Sequence, residues 1–195
     1  MPGAHQFTTA TASAHPSMGQ AMGMVFQIAG SSSKIMIDAQ RLAVLGLDTD
    51  RCTAMAGQVG SQVKMRVGQS WLVASVRAMT LDQNGQSIIA DIDFLGEGDE
   101  QPQTGHIHRF RRGVTRYPTP GTEIFPVSSS DMQQIYAADD RPNVEIGTVY
   151  PTDDTRAALY VDSMLGKHFA LLGSTGTGKS TSAALILHRI CDLSP

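Results

Sequence analysis

Cysteine is almost missing from this 195-residue chain, Cys52 and Cys191 being the only two. Two cysteines cannot build a disulfide framework and have no paired zinc-ligand spacing, so a reducing, cytoplasmic setting is the expectation. His188 stands three residues before Cys191 on an expected helix. Without two further ligands nearby, a pair of core or half-exposed side chains is a better reading than a metal site. Charge is scarce too, at 17% of residues with a formal net of -3, and gives no global field that would draw nucleic acid or a membrane surface. No run approaches the ~18 to 20 apolar residues that span a bilayer, so a soluble chain with no membrane partner is expected. Residues 1–23 hold no Lys or Arg and no continuous apolar run, which excludes a secretory signal and predicts a mobile tail.

What is present from Met24 to about Asn143 is a series of short apolar runs broken by turn signals, the style of a small barrel or sandwich. In "SWLVASVRAMTL", Leu72, Ala74, Val76 and Ala78 alternate with Trp71, Val73, Ser75 and Arg77. Asn84-Gly85 then supplies residues that tolerate positive φ, and "SIIADIDFL" follows with Ile88, Ala90, Ile92 and Phe94 on one face. The pattern predicts a β-hairpin with one buried side. "SKIMIDA" (33–39) and "SQVKMRVG" (61–68) show the same period of two, and Gly46, Gly57 and Gly60 mark irregular connections. Thr53 to Ala56 is too short to assign.

An acidic, loop-like "GEGDEQPQ" (96–103) precedes "HIHRFRRGVTRYPTPG", which holds His106, His108 and four of the eleven arginines, Arg109, Arg111, Arg112 and Arg116. One reading is a surface for nucleic acid or an acidic partner. The other, favoured by alternation of Ile107 with His108 and Phe110 with Arg111, is a strand whose solvent side is charged. "YPTPG" (117–121) cannot be central strand, because proline donates no ladder hydrogen bond. "VSSSDMQQIYAADD" (127–140) predicts one short helix capped by Ser129 or Ser130, with Gln133 completing the start signal. Two strands, Val144 to Val149 and Ala158 to Val161, then lead into a new domain over 144–195.

The chemistry is concentrated in "GSTGTGKS", where Gly173, Ser174, Thr175, Gly176, Thr177, Gly178, Lys179 and Ser180 satisfy G-x-x-x-x-G-K-[ST] at every fixed position. "HFALL" (168–172) is predicted as the strand before it and "KSTSAALILHRICDL" (179–193) as the helix after it, stopped by Pro195. Glycine is needed where the backbone curls to point successive N–H groups at phosphates, with Gly176 and Gly178 the critical pair. Lys179 suits the β- and γ-phosphates of ATP, Ser180 offers a hydroxyl to Mg²⁺, and Thr181 supports the α-phosphate. No acidic strand end follows to position water, so no catalytic residue is assigned within the chain; Lys179 would carry transition-state charge if the site were completed. The helix is apolar nearly all round its middle, which predicts an exposed apolar patch and an N-terminal part of a longer protein.

Together, "RRGVTRYPTPGTEIFPVSSSDMQQIY" (111–136), "IGTV" (146–149) and "ALYVDSMLGKHFALLGSTGTGKST" (158–181) resemble the HerA family of hexameric DNA-translocating ATPases. The resemblance covers roughly residues 24–195; its most specific parts are the "RGV..YP.PG" phrase and Lys167-His168 ahead of the loop. It implies a mainly β barrel of the ATP-synthase type over 24–143, then the first strand, P-loop and helix of an α/β RecA-like ATPase domain. It also implies ATP and Mg²⁺ as cofactors, a hexameric ring of copies of the chain, and movement on double-stranded DNA through pore loops outside this chain. A nuclease partner often docks on the barrel side in that family, and segment 106–116 would line the ring contact or the partner face. The second acidic motif and the arginine that reaches a neighbour's site are not in the sequence. Two alternatives stand beside this reading, a related ring ATPase moving protein or protons and a non-catalytic assembly or docking module.

Overall fold

Period-two alternation in "SKIMID" puts Ser33, Ile35 and Ile37 on one side, and in the computed structural model all three are buried on β2 (Ser33–Asp38). The described residues are 20–29 and 33–193. Residues 1–19 of the expected tail lie outside them. Its last residues do not behave as tail, because Met22 is fully buried and Gly23 opens β1 (Gly23–Gln27).

The other barrel strands are β3 (Gln62–Val67), β4 (Ser70–Leu81), β5 (Ser87–Glu100) and β7 (Glu123–Pro126). Their antiparallel pairings run β2–β1–β7–β3–β4–β5, and β5 pairs back to β2. Six strands therefore close a barrel, which removes the free edges that would template pairing with other chains. β6 (Ile107–Arg112) sits outside the ring on the C-terminal half of β5.

Val25, Ile35, Ile37, Val63, Met65, Leu72, Ile92 and Ile124 fill the interior together with Met22. A second cluster lies on the outer wall, where Trp71, Val73 and Phe125 meet Ile107, Met132 and Ile135. Trp71 stands edge-on to Phe125 at 5.7 Å between ring centres, and its Nε1 donates to the Gly105 carbonyl at 3.0 Å. The expected hairpin is present, but β4 is buried on both faces rather than one. The reason is α3 (Ser129–Tyr136), which covers the face carrying Trp71 and Val73.

Three further expectations change. Residues 96–100 are strand, not loop, because Gly96 and Gly98 let β6 approach; a Cβ on Gly96 would lie 2.2 Å from the Arg111 carbonyl oxygen. The cap of α3 is Ser128, whose side chain takes the Asp131 N–H while the Asp131 side chain takes the Ser128 N–H. Two short helices were not expected, α1 (Ala39–Leu45) and α2 (Arg51–Ala54), capped by Asp38 and Asp50. Asp50 also accepts the Ser129 N–H at 2.9 Å and so ties α2 to α3. "YPTPG" is non-strand, as its prolines require.

Beyond the barrel, β8 (Asn143–Thr148) and β9 (Arg156–Tyr160) form a separate antiparallel pair. Val161, assigned to the second strand from sequence, instead opens the short helix α4 (Val161–Leu165). No helix among the described residues is long and apolar enough to cross a membrane.

Candidate functional site

Residues 173–178 form an exposed loop running into α5 (Lys179–Cys191). The curl rests on two glycines in the left-handed region, Gly176 at φ +84° and Gly178 at φ +81°. Gly178 is also the N-cap of α5, and no side chain caps the helix. The N–H groups of the first turn therefore remain to be satisfied from outside the helix, which is the arrangement that receives an anion. Gly173 is needed for space, since a Cβ there would lie 2.6 Å from Thr177 Oγ1.

Two hydrogen bonds close the loop on itself. Thr177 Oγ1 donates to the Ser174 carbonyl at 2.8 Å, and Lys179 Nζ donates to the same oxygen at 2.5 Å. Lys179 thus folds back onto the loop, holding its cation against the Ser174 carbonyl. Ser180 and Thr181 are exposed on the first turn of α5, and Thr175 sits at the loop's tip. All nine residues from Gly173 to Thr181 are contiguous at one helix start. Their chemistry suits a polyphosphate: positive-φ glycines, one cation, hydroxyls and outward N–H groups, with no acidic side chain among them to repel it. The same residue types fit Mg-ATP, for which the Ser180 hydroxyl would be the oxygen available to the metal.

The predicted strand at 168–172 is not formed; the segment has no regular structure and is exposed, with Phe169 at 61% and Leu172 at 90%. A strand exists only through ladder partners, and among the described residues none lies beside "HFALL". Helix α5 is as expected but ends at Cys191, and it rests on β8 through few side chains, Ile186 being its only buried residue. Leu185 and Leu187 remain exposed, the apolar patch expected from its composition.

The basic segment is strand over Ile107–Arg112, with His106 and Arg116 beyond its ends, and it is remote in sequence from the loop and makes no hydrogen bond with it among the described residues. Tyr136, Arg141 and Tyr160, which the sequence pattern did not single out, stand beside that strand. Their signal in the sequence is aromatic and arginine residues at the ends of consecutive elements, which becomes visible only when those elements are brought together.

Residues 144–194 match the family model described as "Helicase HerA, central domain". The chain is also similar to the DNA double-strand break repair helicase HerA of Pyrococcus furiosus, at 32% identity over 132 residues, covering 63% of this chain and 22% of that protein. The chain therefore spans about a fifth of the length of the curated relative it matches.

Proposed function

The chain belongs to the HerA family, and from that premise we propose that it carries the nucleotide-binding loop and barrel of a ring ATPase that moves on double-stranded DNA. In this proposal residues 173–181 hold Mg-ATP: Lys179 faces the β- and γ-phosphates, the N–H groups following Gly176 and Gly178 cradle them, and Ser180 ligates Mg²⁺. The barrel and the residues from 144 onward belong to two domains, the second being the start of a RecA-like core. Copies of the chain assemble as a hexamer in the cytoplasm, and a nuclease partner docks on the barrel side.

The observation that carries the nucleotide reading is the folding of Lys179 over a loop whose two glycines hold φ above +80°, at an α5 start with no side-chain cap. A chance glycine-rich turn needs none of these together. Hydrolysis asks for more, namely an acidic group across the metal and a residue that orients water, and segment 173–181 contains neither. Phosphate binding is therefore the function assigned to this segment, and turnover to the assembled ring.

Titration of the chain with a fluorescent ATP analogue in the presence and absence of Mg²⁺ tests the reading. Saturable, Mg²⁺-dependent binding that Lys179→Ala weakens by at least about a hundredfold, roughly 2.7 kcal/mol, is expected. Binding that is the same in both proteins would overturn it.

A further inference from the structure

Strand β6 does not alternate cleanly. Between the pairs Asp99–His108 and Glu97–Arg111 its register slips, so that Arg109 and Phe110 together oppose Gly98. Arg109 adopts φ +50°, the only non-glycine residue among those described with a positive φ. Gly98 makes room, since a Cβ there would come within 2.7 Å of Ile107 Cγ2 and 3.0 Å of the His108 carbonyl oxygen. A bulge of this kind re-aims side chains away from the regular two-sided pattern.

The result is a groove of about 620 Å³ between β6, the C-terminal end of α3 and β9. Four arginines line it, Arg109, Arg111, Arg112 and Arg141, against a single carboxylate, Asp139. This is a strongly cationic concavity on a chain whose formal net charge is -3. Arg111 is engaged by Glu97 and Arg141 by Asp139. Arg109 and Arg112 have no carboxylate partner among the described residues. The aromatic residues between them are half-buried: the Arg112 guanidinium lies 5.9 Å from the Phe110 ring centre and 5.8 Å from that of Tyr136, and Arg141 lies 3.9 Å over Tyr160.

We propose that this groove binds a single strand of nucleic acid, with phosphates at Arg109 and Arg112 and unpaired bases against Tyr136 and Tyr160. Uncompensated cations interleaved with ring faces are what a flexible strand needs, because its phosphates and bases alternate within a few ångströms. An acidic protein segment would use the arginines but make no use of the rings beside them. Paired bases in a duplex would not reach rings recessed between two elements. The site shares no residue with 173–181, and it stands or falls without the nucleotide reading.

The test is fluorescence anisotropy of a fluorescein-labelled oligothymidylate of about 20 nucleotides, titrated with the full chain and no nucleotide, between about 50 and 200 mM KCl. Each phosphate contact on a single strand contributes about 0.7 to the slope of log affinity against log salt, so the two unpaired arginines contribute about 1.4. The double variant Arg109→Gly, Arg112→Ala is expected to bind at least tenfold more weakly, with that part of the slope lost. Glycine at 109 suits the positive φ, so the fold is retained. Tyr136→Ala is expected to weaken oligothymidylate several-fold while leaving the salt slope unchanged. Absence of binding by the wild-type chain, or binding that the double variant leaves intact, would overturn the proposal. So would displacement of the oligonucleotide by polyglutamate at equal charge concentration, which would identify an acidic-protein surface instead.

Discussion

Lys64 Nζ lies 2.6 Å from Asp131 Oδ2, with the carboxylate fully buried and the lysine nearly so. Asp131 also accepts the Ile107 N–H at 3.0 Å and the Ser128 N–H at 3.1 Å. One carboxylate thereby joins β3, β6 and α3. Burial on its own pushes the Asp131 carboxyl up, but the Lys64 charge and these N–H donors outweigh it and hold the group below its usual value of 3.8.

Because the folded value is depressed, the stabilisation is complete above about pH 4 and is lost as pH falls through the folded value. Asp131→Asn keeps the shape but leaves Lys64 buried without a counter-charge, and is expected to destabilise by about 3–5 kcal/mol at neutral pH. Urea denaturation from neutral pH down to about pH 2 checks both points. The variant should lose part of the acid sensitivity of the wild type, and an unchanged profile would mean that other carboxylates govern it.

Ser128→Ala removes the hydroxyl that takes the Asp131 N–H at 3.2 Å and donates to Asp131 Oδ2 at 2.9 Å. A loss of about 1 kcal/mol is expected, with little change in far-ultraviolet circular dichroism, and Ser128→Asp should recover less than Ser128→Thr because it sets a second anion against Asp131. Thermal melting of the three variants ranks them.

Gly23 sits where β1 meets β2, and a Cβ there would lie 2.0 Å from the Met36 carbonyl oxygen and 2.8 Å from the Ile37 Cα. Both are backbone atoms and cannot swing aside. Gly23→Ala should therefore exceed the usual overpacking penalty of about 1–3 kcal/mol. A midpoint within experimental error of wild type in urea would show that the β1–β2 seam can part without loss.

Gly178 has open space around its Cα, so a methyl there meets nothing within 4 Å. Only the left-handed conformation is penalised, by about 1–2 kcal/mol. Gly178→Ala is expected to lower the melting temperature by no more than several degrees, and in the proposed site to lower ATP affinity about tenfold by tilting the first-turn N–H groups away. Calorimetric titration beside a melting curve separates the two effects.

Local patterns carried much of the fold. Ile35 and Ile37, and Ile88 to Phe94, show the side that faces the common interior through period two alone, whereas in Leu72 to Val76 it marks the inner face and not the second burial of Trp71 and Val73 under α3. Ring closure was not legible from residues, because the pairing of Ile35 with Ala90 leaves no mark on either segment. Helices α1 and α2 are not visible in the sequence because Asp38 falls within the period-two run 33–39 and Thr53 to Ala56 is too short to assign, and only the capping bonds of Asp38 to Arg41 and of Asp50 to Thr53 mark the helix starts. The loop at 173–181 could be read from consecutive residues, and its two positive-φ glycines and the start of α5 at Lys179 are where that reading places them. "HFALL" was misread because apolar character marks a strand that has neighbours and says nothing when they are not alongside.

Strand β5 hydrogen-bonds to β4 along nearly its whole length, to β2 with its first half and to β6 with its second. Its pairing with β4 is local, closed by the short turn at Gly85, and forms on the microsecond scale of hairpins. Closure of the ring instead requires Gly23 to find Ile124, about a hundred residues further along the chain. Loop-closure entropy must be met before that contact returns anything. The meeting of β1 with β7 is thus the closure expected to limit the rate of folding, and substitutions in the β4–β5 turn should alter stability far more than they alter the speed of ring closure.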